Sequence, residues 1–173
     1  MSKHFRSLFI VLIGLSSYFN VSAQSADVQT FSVTFFISPT CKICQYYALY
    51  MQDLPMRYSA EKFTFRALIP GKNVTLEAAA KYQSRYSIPF PVLLDSLQEH
   101  KSMKATVTPE VFIADNKGVI IYHGRIDDSY LDVGKKRSVV KNHELEDVLK
   151  SLNNGDVVKV RHVPAVGCII EKR

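Results

Sequence analysis

The distribution of apolar and polar positions predicts alternating strands and helices from residue 31 onward. Phe31 to Ile37 is an aromatic and β-branched run with little polarity, which is typical of a strand buried on both faces of a sheet. From Lys42 to Tyr58, apolar residues recur at spacings of three and four and indicate one face of a helix. Pro55 is expected to kink or divide that helix. The first two elements are therefore a strand and a helix.

The same alternation continues through the middle of the chain. A second strand is predicted at Phe63 to Ile69 and a third at Pro91 to Leu94. Between them, Thr75 is expected to cap an alanine-rich helix that extends from Leu76 to Tyr86. Residues 96–104 suit a further short helix. Strands separated by helices predict parallel pairing in this part of the sheet.

The last third of the chain predicts a β-hairpin and one more helix. Two apolar runs, Val111 to Ile113 and Val119 to Tyr122, flank a turn signal that contains Asn-Lys-Gly. Residues 124–141 lack clear periodicity and are expected to form an ordered surface loop. Asn142 is expected to cap a final helix. Four aliphatic residues form its apolar face: Leu145, Val148, Leu149 and Leu152.

Residues 1–23 have the pattern of a secretory signal. Two basic residues precede an apolar segment from Leu8 to Leu15, and small residues end at Ala23. That segment is short for a membrane span, and an uncleaved anchor is the alternative. Cleavage after Ala23 is expected to leave one domain, residues 24–173, with a tail from about residue 153. We therefore expect export into an oxidising compartment, the periplasm if the source is a Gram-negative bacterium.

The composition favours a globular domain over a nucleic-acid-binding protein. Hydrophobic residues make up 47% of the chain, and the formal net charge is +6. Much of the positive charge lies in two short runs, Lys135 to Arg137 and Lys172 to Arg173. Nucleic-acid binding would call for a denser basic face. We interpret these residues as solvated surface charge and expect no nucleic-acid partner.

Cys41 and Cys44 lie at the predicted junction between the first strand and the first helix. Two thiols at this spacing share one helical turn, and unpaired backbone N–H groups and the positive end of the helix dipole favour the thiolate of the first. A thiolate attacks disulfides, and the second thiol is placed to resolve the mixed disulfide that results. The motif therefore predicts Cys41 as the nucleophile and Cys44 as the resolving thiol.

Three segments carry a resemblance to a known superfamily: Phe35 to Cys44, Ala105 to Ile113, and Tyr122 to Arg125. Over roughly residues 31–152 the chain resembles the thioredoxin-like superfamily, in particular exported redoxins related to the AhpC/TSA and TlpA/ResA groups. The resemblance implies an α/β, three-layer fold with a mixed central sheet and flanking helices. It also implies a thiol-disulfide oxidoreductase that needs no dissociable cofactor and acts on protein thiols and disulfides, with a separate redox partner.

The resemblance also implies a substrate-binding segment at Thr108 and Pro109. In the superfamily the residue at the position of Pro109 is a cis-proline, whose backbone faces the active-site sulfurs and pairs with a bound substrate chain. The chain departs from the common pattern in having Thr40 before the first cysteine, where Trp is usual. The dipeptide between the cysteines, Lys42-Ile43, is also unusual. Since that dipeptide tunes the redox potential, the sequence leaves the direction of exchange open.

Cys168 is a third cysteine, far along the chain in an apolar segment. Residues Ala165 to Cys168 resemble the tail of a redoxin subgroup. Three interpretations are open: a buried inert thiol, a third redox thiol that pairs with Cys41 or Cys44, and an intermolecular or metal-binding thiol. An odd cysteine in an exported protein needs one of these explanations.

Metal binding is not expected from the sequence. A zinc site would add a second pair of ligands at short spacing, whereas His123, His143 and His162 are isolated in the sequence. Copper chaperones of the Sco type share the implied fold, but they carry two cysteines with one more residue between them. We therefore predict no metal ligand among these residues.

Two other functions are compatible with these residues. A thiol peroxidase with antioxidant activity would have Cys41 attack a peroxide, and Thr34 and Ser38 stand where peroxiredoxins place a proline and a threonine. A non-catalytic thioredoxin-like binding module would hold a partner on the loop of residues 124–141, with the cysteines as a staple. A permanently unreactive disulfide would favour the binding module.

Overall fold

The computed structural model describes residues 29–171. The predicted signal peptide of residues 1–23 lies outside the described residues, and its cleavage stays a prediction. None of the helices between residues 29 and 171 combines the length and apolar character that a membrane crossing needs.

The described chain forms one central sheet of six strands, two small sheets of two strands each, and five helices. In chain order the elements are β1 (Phe31–Phe36), α1 (Lys42–Tyr46), α2 (Ala48–Arg57), β2 (Phe63–Ile69), α3 (Leu76–Arg85), β3 (Val92–Leu94), α4 (Glu99–Ser102), β4 (Val107–Thr108), β5 (Glu110–Asp115), β6 (Ile120–Gly124), β7 (Tyr130–Asp132), β8 (Lys135–Lys136), α5 (Glu144–Asn154), β9 (Arg161–Val163) and β10 (Cys168–Ile169). The strand order of the central sheet is β3-β2-β1-β5-β6-β9.

The central sheet is mixed, as the resemblance implies. β1 pairs in parallel with β2 and antiparallel with β5, and Phe36 lies opposite Glu110. Because β1 and β5 run in opposite directions, the segment that follows β1 and the segment that precedes β5 meet at one end of the sheet. That geometry brings the loop carrying Cys41 next to Thr108.

The hydrophobic core is larger on one face of the sheet than on the other. Val33 and Phe35 of β1 belong to the large cluster, whereas Phe36 belongs to a small cluster on the opposite face. The predicted apolar face of α5 is confirmed, since its four aliphatic residues are buried in the large cluster. Burial of one such side chain contributes roughly 1.5–3 kcal/mol, which holds α5 against the sheet.

Several local predictions are confirmed. β2 spans the predicted range, and the predicted hairpin is present as β5 and β6. The Thr75 side chain accepts a hydrogen bond from the backbone N–H of Ala78 at 3.1 Å, so Thr75 caps α3. α4 is shorter than predicted, because the Asp95 carboxylate binds the N–H groups of Glu99 and His100 and so sets where the helix starts.

The helix predicted after the first cysteine is divided, but at Tyr47 and not at Pro55, and a kink at Pro55 stays a prediction. The Tyr47 side chain is buried, its hydroxyl donates to the carboxylate of Asp127, and its ring contacts that of Tyr130. The backbone at Tyr47 has a ψ of 0°, away from helical values. Pro55 lies in the last turns of α2, where its missing N–H removes one hydrogen bond just before the helix ends.

The segment of residues 124–141, predicted as an ordered surface loop, contains regular secondary structure. It contains the two-stranded sheet of β7 and β8, and Asp128 and Ser129 within it are fully buried. The Asp128 carboxylate accepts hydrogen bonds from the backbone N–H groups of Lys141 and Asn142. These bonds lower the pKa of Asp128 and fix the end of the segment against its start.

Asn142 does not cap the last helix, so that prediction is wrong. The side-chain NH2 group of Asn142 donates to Asp128 at 2.9 Å, so the side chain is oriented towards Asp128. His143 occupies the N-cap position instead, without a capping hydrogen bond from its side chain. A first-turn N–H of α5, that of Leu145, instead donates to the backbone carbonyl of Ile126 at 3.1 Å.

Candidate active site

Cys41 is the N-cap residue of α1 and follows a tight turn after β1. Its backbone N–H donates to the Ser38 carbonyl at 3.1 Å, and its carbonyl accepts from Gln45 N–H at 3.0 Å. Its backbone is extended, with a φ of −74° and a ψ of 119°. The side chain of Cys41 makes no capping hydrogen bond and extends towards β4.

Thr108 lies directly against Cys41, and Pro109 follows it in the chain. The Cys41 Sγ atom is 3.2 Å from the carbonyl oxygen of Thr108, and the Thr108–Pro109 peptide bond is cis. The buried carboxylate of Glu110 accepts hydrogen bonds from the N–H groups of Thr106 and Val107, which holds β4 in place. The structure thus brings together Cys41, Thr108 and Pro109.

The disulfide in this structure joins Cys41 to Cys168 rather than to Cys44. The Cα atoms of the joined residues are 6.1 Å apart, within the usual range for a disulfide. Cys44 is a free, buried thiol. Of the three interpretations of Cys168, the structure shows a partner for Cys41. The catalytic roles of the three thiols stay predictions.

The environment of Cys44 favours its neutral thiol form. Burial raises the pKa of Cys44 to about 12, and the backbone N–H of Ser38, 3.3 Å from its sulfur, opposes this only in part. The hydroxyl of Tyr82 donates to the Cys44 carbonyl at 2.8 Å and fixes the backbone behind the thiol. Cys44 is thus a poorly ionised thiol in the disulfide-bonded protein.

We expect the alkylation of Cys44 in the disulfide-bonded protein to accelerate by about tenfold per pH unit from pH 7 to about pH 11. The thiolate is the reactive form, and its fraction keeps rising with pH below a pKa of about 12. Iodoacetamide uptake, followed by mass spectrometry, measures this rate. An unstructured cysteine peptide is the control, and a rate for Cys44 that levels off with the peptide near pH 9 would contradict the expectation.

Residues 164–171, called here the docked segment, cover the candidate active site. β10 within this segment pairs antiparallel with β4, so that Cys168 lies opposite Thr108. The Ile170 N–H donates to the Thr106 carbonyl at 2.9 Å and extends the pairing. As a result, Cys41 is only 2% exposed.

Gly167 is a functional candidate that the sequence reasoning missed. A Cβ atom at this position would lie 2.2 Å from the Thr108 carbonyl oxygen, a separation that no side chain tolerates. Glycine therefore permits the docked segment to approach the backbone of Thr108. The sequence feature that could have identified Gly167 is a glycine directly before a cysteine, because glycine in a strand often marks close approach of another backbone.

Comparison with known proteins identifies the fold. No family model and no curated protein matches the chain. A thioredoxin-like protein from Aeropyrum pernix is 17% identical with a TM-score of 0.53, over 70% of this chain and 76% of its own. The fold is thioredoxin-like. An uncharacterised conserved protein from Geobacillus kaustophilus shares more of this thioredoxin-like structure, with 21% identity and a TM-score of 0.71 over 83% of this chain and 78% of its own.

A secreted disulfide oxidoreductase of Mycobacterium tuberculosis, described as homologous to DsbE of E. coli, is also similar in structure. It is 14% identical with a TM-score of 0.51, over 70% of this chain and 81% of its own. The predicted fold class is therefore confirmed: this thioredoxin-like chain has a mixed central sheet with flanking helices.

The thioredoxin-like fold keeps the Thr34 hydroxyl away from Cys41. Side chains alternate between the two faces of β1, so Thr34 shares the face of Phe36, and its hydroxyl accepts a hydrogen bond from Arg66 at 3.0 Å. The Ser38 hydroxyl lies 3.1 Å from that of Thr40. Ser38 stands where the peroxidase alternative would use a hydroxyl near the Cys41 sulfur, and the contact of its hydroxyl is with Thr40.

His123 and His162, which are isolated in the sequence, are adjacent in this thioredoxin-like fold. They lie opposite each other in the parallel pairing of β6 and β9, and their ring centroids are 4.2 Å apart. His123 also contacts Glu110 at 2.6 Å. Within the described part of the chain, no group of three or more His, Cys, Asp or Glu side chains could hold a metal ion.

Proposed function

We propose that this protein is an exported thiol-disulfide oxidoreductase that exchanges disulfides with protein substrates through Cys41. The observation that carries the proposal is the position of the Cys41 sulfur, 3.2 Å from the Thr108 carbonyl at the junction of β1 and α1. The secreted disulfide oxidoreductase of M. tuberculosis uses the same fold. A buried second thiol, Cys44, lies one helical turn further along the chain.

The first step of the proposed reaction uses Cys41 as the nucleophile. In the reduced protein, the Cys41 thiolate attacks one sulfur of a substrate disulfide. A bond forms between Cys41 and that sulfur, the substrate disulfide breaks, and the second substrate sulfur leaves as a thiolate that takes up a proton. The result is a mixed disulfide, which the adjoining backbone of Thr108 and the ring of Pro109 hold in place.

The second step releases the substrate. Cys44 loses its proton to water and attacks the Cys41 sulfur, so that a Cys41–Cys44 disulfide forms and the substrate leaves as a thiol. The substrate gains two electrons and the protein dithiol loses them. A dithiol redox partner returns the protein to its reduced form. The same steps in reverse oxidise a dithiol substrate, and the potential of the pair sets the direction.

Burial of Cys44 suits its role as the resolving thiol. A thiol with a pKa of about 12 is almost entirely protonated at neutral pH, so it does not compete with Cys41 for external disulfides. Once Cys41 carries a substrate, Cys44 needs no diffusion to reach it, and proximity compensates for the small thiolate fraction. These properties support an ordered use of the two thiols.

A redox titration of the protein tests the proposal. The wild type and the Cys44→Ser and Cys168→Ser variants are equilibrated in dithiothreitol or glutathione buffers, and thiols are counted by mass-shifting alkylation. We expect Cys168→Ser to keep a two-electron transition that peptide mapping assigns to Cys41 and Cys44. In Cys44→Ser, the transition should map to Cys41 and Cys168. If Cys168→Ser shows no transition, the dithiol mechanism is wrong, and a binding module with a structural disulfide replaces it.

A further inference from the structure

The docked segment lies where a substrate strand would pair in the proposed reaction. We propose that residues 164–171 are an internal substrate: β10 occupies the peptide-binding edge of β4, Cys168 takes the place of the substrate cysteine, and Cys44 releases it by resolving the Cys41–Cys168 disulfide. This inference rests on the proposed function. It assigns to Cys168 a redox role at the same site.

The backbone pairing of the docked segment is that of an extended bound peptide. Cys168 lies opposite Thr108, and Ile169 lies opposite Val107, in an antiparallel ladder. Peptides that add a strand to a sheet edge use the same main-chain hydrogen bonds, so an extended substrate chain that fits against Thr108 could bind β4 in place of the docked segment. The segment and an external substrate would therefore exclude each other.

The close approach of Gly167 to the Thr108 backbone indicates that the docked segment fits this edge of β4 specifically. A Cβ atom there would meet the Thr108 carbonyl oxygen at 2.2 Å and its carbonyl carbon at 2.6 Å. Because Thr108 also contacts the Cys41 sulfur, the glycine sets how closely Cys168 can reach Cys41. Gly167, the residue before the reacting cysteine, thus permits the close approach of the segment to β4.

The docked segment leaves one sulfur of the disulfide more accessible than the other. Cys41 is buried, whereas Cys168 is half-buried. Cys168 also lines an open groove of about 280 Å³, together with Thr40, Lys72 and Asn73. An external thiol therefore meets Cys168 first, and an external disulfide cannot reach Cys41 until the segment has moved.

The release step is an internal exchange that balances without an external oxidant or reductant. Cys44 loses a proton to water, and its thiolate attacks the Cys41 sulfur. The Cys41–Cys44 bond forms, the Cys41–Cys168 bond breaks, and Cys168 leaves as a thiolate that takes up a proton from water. No net oxidation occurs. The products are a free segment and an open β4 edge beside an oxidised Cys41–Cys44 pair.

Trapping of a mixed disulfide with insulin, followed by intact mass spectrometry, tests the inference in the full chain. Reduced Cys44→Ser/Cys168→Ser, which lacks both intramolecular partners of Cys41, should accumulate a Cys41–insulin disulfide. In reduced Cys44→Ser, Cys168 should attack that disulfide and expel insulin. A tethered thiol acts at an effective concentration on the order of 1 mM, so against roughly 50 µM insulin we expect about twentyfold less trapped complex than in the double variant.

The matched variant Cys44→Ser/Gly167→Ala keeps Cys168 but should prevent its docking. We expect it to trap insulin nearly as well as the variant without Cys168. Equal trapping by Cys44→Ser and Cys44→Ser/Cys168→Ser would overturn the internal-substrate inference while leaving the proposed function intact. Failure of Cys44→Ser/Cys168→Ser to trap insulin would overturn the proposed function itself, because Cys41 would then not attack a protein disulfide.

Amide hydrogen exchange in the wild type tests release of the segment without any substitution. In the oxidised protein, the Ile170 N–H is bonded to the Thr106 carbonyl at 2.9 Å and should exchange slowly. We expect exchange at least about tenfold faster after reduction with dithiothreitol, since the docked segment then loses its covalent tie to Cys41 and opens more readily. Equal exchange in both redox states would show that the segment stays docked, which contradicts its release.

Discussion

Replacement of Cys41 by serine is expected to abolish disulfide reduction, with a fall on the order of a thousandfold or more in catalysed rate. A serine hydroxyl is not ionised at neutral pH and forms no mixed disulfide. Cys44 cannot substitute for Cys41, because it is buried and its pKa is raised to about 12. Reduction of insulin by dithiothreitol, followed by the turbidity of the released chain, measures the rate.

Cys44→Ser is the matched control for this prediction. It removes an equally small side chain one turn away but leaves the nucleophile, so it should still attack insulin once and then stall or transfer to Cys168. Both variants should retain the fold, since each exchanges sulfur for oxygen at one atom. Catalysis that survives in Cys41→Ser would refute the assignment of Cys41 as the nucleophile.

Replacement of Arg125 by methionine is expected to lower the free energy of unfolding by about 3 kcal/mol. The guanidinium of Arg125 donates from Nε to the Glu144 carboxylate at 3.0 Å and also from Nη2, and the hydrogen bond to Glu144 raises the pKa of Arg125. Glu144 is fully buried in the first turn of α5. Methionine would leave a buried carboxylate without its cation. Urea unfolding followed by circular dichroism measures the loss.

The double variant Arg125→Met/Glu144→Leu separates the lost ion pair from lost packing. Removal of both charges eliminates the uncompensated carboxylate, so most of the stability should return. Arg125→Lys is a second control, because it retains the charge but not the two-pronged geometry. A double variant as unstable as Arg125→Met would show that packing by the arginine side chain causes the loss.

The parts of the fold that the sequence predicted depend on short-range patterns. The apolar run of β1 and the four buried aliphatic residues of α5 each follow from spacing within one element. The cap of α3 by Thr75 is likewise a contact between neighbours in the chain. Such features need no knowledge of what packs against the element.

The parts that the sequence did not predict depend on residues far apart in the chain. The helix breaks at Tyr47 because Asp127 and Tyr130 bind its side chain, 80 or more residues later. Asn142 does not cap the helix, and its side chain is hydrogen-bonded to the buried Asp128. The local sequence around Tyr47 or Asn142 does not indicate either contact.

The candidate site also combines features that the sequence predicted with one that it did not. The spacing of Cys41 and Cys44 marked the region, and the resemblance added Thr108 and Pro109. The disulfide between Cys41 and Cys168 depends on the antiparallel pairing of β4 with β10, which no local sequence pattern encodes. The sequence therefore indicated where the site lies but not which cysteine is the partner of Cys41.

The Cys41–Cys168 disulfide also makes most of the described chain into a covalent ring. The two residues are 127 positions apart, so the bond encloses the strands and helices between them. By the chain-entropy model, closing a loop of this length restricts the unfolded ensemble by about 5 kcal/mol, whereas a ring between cysteines three residues apart restricts it far less. Exchange at the active site would thus convert a large ring into a small one, and the catalytic cycle would alternately raise and lower the free energy of unfolding of the domain.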